Sequence, residues 1–162
     1  MLLACGALLL SACAAGPELS PSGEGLPRVS ITFPGVSEPG SVQEAVLNVL
    51  NPGPGDLDRI SVTFVRVGPS APGEPLPLPI VDAAAGMGNS AVVAVEPEPR
   101  SVSDDGVVYV FDGIEEGGSL RITFRLRVPE QEGVAANSVT VSDATDLERA
   151  AGVRLETLVK DG

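Results

Sequence analysis

The chain has 162 residues, 22 acidic against 10 basic, a formal net charge of -12, no His, no Trp and two Cys. One domain's worth of material is implied by that length, and the acidity argues against strong nonspecific nucleic-acid binding, which needs clustered cations facing phosphates. Without His the commonest general base near neutral pH and the commonest metal ligand are missing, so His-dependent triads and His-containing zinc sites cannot be built. Aromatic residues make up only 3%, yet the 43% hydrophobic content is too high for a wholly disordered chain, and a folded core is expected.

Met1 to Ala12 (MLLACGALLLSA) carries no charge. It is too short to span a bilayer, which needs about 20 apolar residues, and its length suits the apolar region of a secretory signal. Leu10-Ser11-Ala12-Cys13 resembles, residue by residue, the Leu-small-small-Cys box of bacterial lipoprotein signal peptides. The resemblance implies that Cys13 is diacylated through its thiol, cut free at its amino side, and left as the first residue of a protein anchored in the membrane. That would place the protein on the extracytoplasmic face of the bacterial cell envelope. The basic residues that ordinarily precede such a run are missing, which reads as a start placed too far downstream. Two alternatives stand beside this one: plain secretion with cleavage near Ala14 or Ala15, and a buried amino-terminal helix. Removal of residues 1 to 12 leaves Cys13 as the only Cys, so no disulfide would help the fold. Stability must then come from a core, and a domain of about 150 residues buries roughly 68 to 70% of its unfolded surface.

Residues 14 to 27 (AAGPELSPSGEGLP) hold Pro, Gly, Ser and Glu with little to bury. They read as a flexible tether with an r.m.s. length of about 20 Å, so the chain divides into a signal (1–12), a lipidated Cys with tether (13–27) and a domain (28–162). From there the pattern has period two. Val29, Ile31 and Phe33 begin it; Ser41 to Asn51 and Ile60, Val62 and Phe64 follow. Pro77 to Asp82 is a weak edge strand because of its prolines, and Ala91 to Val95 and Val107 to Phe111 are further candidates. The clearest element is Ser119 to Val128, where Leu120, Ile122, Phe124, Leu126 and Val128 alternate with Arg121, Thr123, Arg125 and Arg127. Val139 and Val141 lie against Ser138, Thr140 and Ser142, and Val153 to Val159 closes the series. Turn signals such as Pro34-Gly35, Asn51-Pro52-Gly53-Pro54-Gly55, Asp105-Gly106 and Gly117-Gly118 serve as hairpin punctuation. Only Asp143 to Ala151 is suited to a helical turn or two. The expectation is all-β: a two-sheet antiparallel sandwich of about seven to nine strands, immunoglobulin-like in architecture but without the Cys pair and Trp that pin antibody domains.

Asn51-x-Gly53-Pro54, followed by Ile60-Ser61-Val62-Thr63, resembles a motif of the bacterial surface repeat domain of unknown function number eleven. Gly118 to Thr123, Gly133 and Asn137-Ser138-Val139-Thr140-Val141 are similar to that family's closing strands. The likeness spans about residues 41 to 142 and implies a sandwich module of the bacterial surface. Leu57-Asp58-Arg59 departs from the family's Ala-x-Asn, Val139 stands where Ala is usual, and the terminal Asn pair is missing. Hairpin chemistry common to many sandwiches is the other source of such short motifs.

Chemistry has few footholds. Glu115-Glu116 and Glu130/Glu132 are the nearest to paired carboxylates, but they sit at turns with no aromatic platform for a sugar. Asp104-Asp105 and Asp143/Asp146 lack the spaced loop of a calcium site and read as turn caps. Arg121, Arg125 and Arg127 form a basic stripe, a candidate interaction face for a partner's acids or an anionic glycan; the bland reading is cross-strand pairing with neighbouring Asp and Glu. The hydroxyl faces Ser61/Thr63 and Ser138/Thr140/Ser142 read as solvent-facing. Gly68 to Pro79 reads as a stiff loop or protected edge, and alternatively as a polyproline ligand. No catalytic residue, cofactor or metal is expected. The expected function is a lipid-anchored, non-catalytic structural or protein-interaction module, its partners the membrane through Cys13 and another envelope protein. The alternative is an extracytoplasmic carbohydrate-binding or hydrolytic protein.

Overall fold

The computed structural model describes residues 18–19, 25–69, 71–83 and 91–162. Cys13 and the apolar segment 1–12 lie outside the described residues. Among the described residues eleven strands run in chain order: β1 (Glu18–Leu19), β2 (Arg28–Thr32), β3 (Val36–Ser37), β4 (Val42–Leu50), β5 (Leu57–Arg66), β6 (Val92–Glu96), β7 (Ser101–Val102), β8 (Val108–Ile114), β9 (Ser119–Arg127), β10 (Gly133–Asp143) and β11 (Asp146–Val159). They make a five-stranded sheet in the order β1-β2-β4-β9-β6 and a six-stranded sheet in the order β3-β11-β10-β5-β8-β7. All strand ladders are antiparallel except β3 with β11. The chain is therefore an all-β sandwich. Eight of its strands have five residues or more and match the expected number; β1, β3 and β7 have two each.

Alternation puts one face of each sheet inside. Ala45, Leu47 and Val49 of β4 and Ile122, Phe124 and Leu126 of β9 are buried from one sheet, Ile60, Val62 and Phe64 of β5 and Val139 and Val141 of β10 from the other. Phe124 is the ring on which the two sheets meet. It lies edge-on to Phe64, Tyr109 and Phe111, with centroids 5.1, 5.3 and 6.4 Å apart, the geometry favoured by ring quadrupoles. Four of the chain's five aromatic side chains are thus gathered in one cluster.

Three local expectations are corrected. Asp143 to Ala151 forms no helical turn: Ala144 and Thr145 are a two-residue turn between β10 and β11. The turn is held by Asp143, whose Oδ1 accepts from the Thr145 N–H at 3.0 Å and from its hydroxyl at 2.8 Å, so side-chain capping outweighs the helix propensity of Leu147 to Ala151. Pro77 to Asp82 contributes a single parallel bridge, Leu78 to Ala135, since each flanking proline lacks the N–H a ladder needs. Ser61 and Ser142 are buried, not solvent-facing. They oppose each other on central strands, flanked by Val110 and Ala150, and these neighbours leave the short hydroxyls little surface.

Most turn signals also do something other than close hairpins. The links β4–β5 and β8–β9 each carry the chain from one sheet to the other. Asn51, fully buried, ties these two crossovers together. Its Nδ2 donates to the Gly55 and Ile114 carbonyls, both at 2.9 Å, and its Oδ1 accepts from the Gly53 N–H at 3.0 Å. Gly53 has φ of 77°, a conformation open to glycine without strain.

Candidate interaction face

The three arginines singled out on β9 all project from the outer face of the smaller sheet, where Arg121, Arg125 and Arg127 are exposed. Register places Asn48 opposite Arg121, Glu44 opposite Arg125 and Val42 opposite Arg127. Arg28 on β2 shares the parity of Ser30 and Thr32, is exposed, and adds a fourth guanidinium to this face. Sequence reasoning missed it because a single charge opening a strand gives no stripe; its outward parity was the available signal.

Cross-strand ion pairing does not occupy these groups. Among the described residues the four ion pairs are Arg66–Asp82, Arg100–Asp112, Arg149–Asp143 and Arg154–Glu156. None uses Arg28, Arg121, Arg125 or Arg127, although Arg127 Nη1 donates to the Gly40 carbonyl at 3.2 Å. A shallow cleft of about 370 Å³ opens between Arg28, Asn48, Leu50 and Arg121.

Several of the acidic candidates are engaged in the fold. Glu116 Oε2 accepts from the Gly55 N–H at 2.9 Å, and its own N–H donates to Asp56 at 2.9 Å. Glu132 Oε1 accepts from the Asp161 N–H at 3.1 Å. The Glu115-Glu116 turn and the Glu130/Glu132 turn stand at opposite ends of β9, whose nine residues extend for about 30 Å. Carboxyls about 5 to 9.5 Å apart across a sugar cannot be drawn from the two together. Asp105 accepts from the Ser103 hydroxyl and the Val107 N–H, and these bonds hold its carboxyl below the usual range. Asp104 lies beside it on the exposed turn. Asp146 Oδ1 accepts from the Glu148 N–H at 3.2 Å. No group of three or more metal-ligating side chains converges among the described residues.

Asp143 is the most enclosed of the carboxylates considered, 2% exposed. Burial pushes its carboxyl up, but bonds from Thr145 and from the Asp58 and Arg59 N–H groups outweigh this and hold it below the ordinary carboxylate value. Arg149 stands 3.6 Å away and links β11 to the start of the domain, donating from Nε to the Gly25 carbonyl at 2.8 Å and from Nη1 to the Asp56 carbonyl at 2.9 Å. Tyr109, inside the aromatic cluster, is pushed up to about 12 by burial, and its hydroxyl donates to the Gly106 carbonyl at 3.0 Å. These arrangements hold turns and ends together.

The fold defines a two-sheet sandwich whose smaller sheet presents Arg28, Arg121, Arg125 and Arg127 on its outer face. No protein-family model and no curated protein sequence matches the chain. Solved structures similar to it include a PapD-like domain of human CEP192, at 13% identity and TM-score 0.47 over 100% of this chain and 99% of that one. The bacterial hydrophobin BslA is similar at 10% identity and TM-score 0.48, over 83% of this chain and 98% of its own. The reeler domain of human F-spondin is similar at 11% identity and TM-score 0.36, over 86% of both chains. Likenesses at these identities and TM-scores say nothing of this chain's activity.

Proposed function

We propose that this chain is a lipid-anchored, extracytoplasmic protein of the bacterial cell envelope, its immunoglobulin-like sandwich acting as a non-catalytic structural or protein-interaction module. The observation that carries the reading is the coincidence of Leu10-Ser11-Ala12-Cys13 with the end of an uncharged apolar run. The described sandwich is compatible with such a role, since Glu116, Glu132, Asp105 and Asp143 serve as acceptors for backbone N–H groups. The reading assigns Cys13 as the lipid attachment site and no catalytic residue, cofactor or metal. Its partners are the membrane, through that lipid, and a second envelope protein.

The deciding experiment is fractionation of cells making the wild-type chain or Cys13→Ser, with intact-mass analysis in the presence and absence of globomycin. The wild type should sit in the membrane fraction and carry the mass of acyl chains, since one chain binds only marginally and two or more anchor stably. Cys13→Ser should move to the soluble or precursor pool. Membrane retention untouched by the substitution would remove the lipoprotein assignment, and specific binding on a glycan array or reproducible sugar turnover would favour the carbohydrate reading instead.

A further inference from the structure

We infer that the arginine-bearing outer face of the smaller sheet lies against the anionic phospholipid headgroups of the membrane that holds the chain. The inference rests on the proposed lipid anchor at Cys13 and adds an orientation to it.

Charge is unevenly divided. The strands of the smaller sheet, β1, β2, β4, β6 and β9, together hold four arginines and three glutamates, Glu18, Glu44 and Glu96. The rest of the chain then has six bases against nineteen acids. Arg28, Arg121, Arg125 and Arg127 are exposed and outside the ion pairs among the described residues. Guanidinium groups bind phosphate oxygens in a planar, bidentate manner. Between them lie the polar Ser30, Asn48 and Thr123 together with Val46 and Leu50, a mixed lining of the kind met at the boundary of headgroups and acyl chains.

The net charge of -12 does not forbid this contact. Stacked sheets lie about 10 Å apart, and the screening length at physiological salt is about 8 Å. Acids on the far sheet are therefore largely hidden from a lipid surface touching the near one.

Connectivity favours lipid over another polyanion. β1 pairs with β2 through Glu18–Ile31 and Leu19–Ser30, so the chain arriving from Cys13 joins the smaller sheet at its edge, next to the strand bearing Arg28. Five residue steps separate Cys13 from Glu18, a reach of at most about 18 Å. A lipid on Cys13 holds this sheet close to the bilayer.

The full chain is extracted from bacterial membranes and reconstituted in vesicles of phosphatidylcholine alone or with added phosphatidylglycerol. Phenylglyoxal modification is then read arginine by arginine by mass spectrometry, together with the mass at Cys13. Modification of Arg28, Arg121 and Arg125 should fall by about threefold or more on the anionic vesicles and recover in high salt, as expected for basic groups at a charged surface. Arg59 on β5 of the other sheet, exposed and likewise outside these ion pairs, should not change. Equal modification on the two vesicle types overturns the inference, as does equal protection by inorganic phosphate added to neutral vesicles. An acylated Cys13 with unprotected arginines removes the orientation and keeps the anchor; an unacylated Cys13 with protected arginines does the reverse.

Discussion

Asn137 both accepts from and donates to Val81. Its Oδ1 takes the Val81 N–H at 2.9 Å while its Nδ2 gives to the Val81 carbonyl at 2.8 Å. The same Oδ1 accepts from the Ile80 N–H at 3.0 Å, and the same Nδ2 reaches the Val65 carbonyl at 3.3 Å. One fully buried carboxamide thus does for the segment around Ile80 what a neighbouring strand would do, satisfying polar groups of a backbone that its prolines keep from a regular ladder. Asn137→Ala should lower stability by about 2 to 4 kcal/mol, because buried backbone groups are left unpaired at about 1 to 3 kcal/mol each. Urea unfolding measures the loss, and limited proteolysis should show earlier cleavage near Ile80. An unchanged midpoint would mean that water replaces the side chain there.

Phe124 and Arg125 are adjacent in sequence and opposite in consequence. Phe124 is 1% exposed and touches three other rings, whereas Arg125 is exposed and in no ion pair among the described residues. Phe124→Ala should cost about 3 to 5 kcal/mol through lost transfer energy and an unfilled cavity. Arg125→Ala should stay within about 1 kcal/mol. Equilibrium unfolding of both variants checks the assignment of faces, and a larger loss from Arg125→Ala would contradict it.

Asp143 makes stability depend on acid. Its folded carboxyl lies below the ordinary value, so it binds protons less readily folded than unfolded. Its contribution is present above the unfolded value of about 3.9 and is lost as pH falls through the depressed folded value. Wild-type stability should therefore fall more steeply than that of Asp143→Asn as pH drops below about 4. Chemical unfolding of the two proteins across that range reads the difference; parallel curves would show that the carboxylate is not held as described.

Gly113 and Gly152 separate close approach from open surface. A Cβ on Gly113 would stand 2.2 Å from the Leu57 carbonyl oxygen and 2.5 Å from that of Asp58, both backbone, whereas on Gly152 the nearest atom is the Val139 oxygen at 3.8 Å. Gly113→Ala should cost about 1 to 3 kcal/mol or more, the scale of overpacking. Gly152→Ala should change stability by less than about 1 kcal/mol. Thermal melts of the two variants give the comparison.

The pattern of apolar residues determined which face of each strand is buried, because successive side chains in extended backbone point to opposite sides. β9 was legible almost to the residue: Ser119–Val128 was expected and Ser119–Arg127 is formed. Its outward arginines followed from the same parity, and the paired roles of Phe124 and Arg125 with them. The parity rule also led to one wrong surface, at Ser61 and Ser142, since it assigns direction and not the height of the neighbours.

Tertiary structure alone decided partners. Period two says nothing about which strand lies alongside which, so turns at Asn51–Gly55 and Gly117-Gly118 read equally as hairpins and as the sheet-to-sheet crossovers they form. Arg28 joined Arg121, Arg125 and Arg127 only because β4 brings β2 and β9 into one sheet, across more than ninety residues of chain. Asn137 was one letter of a strand motif until folding set it beside Val81, 56 positions away. A buried amide finds its acceptors in space rather than in sequence, and the energy of leaving them unmet makes that meeting obligatory.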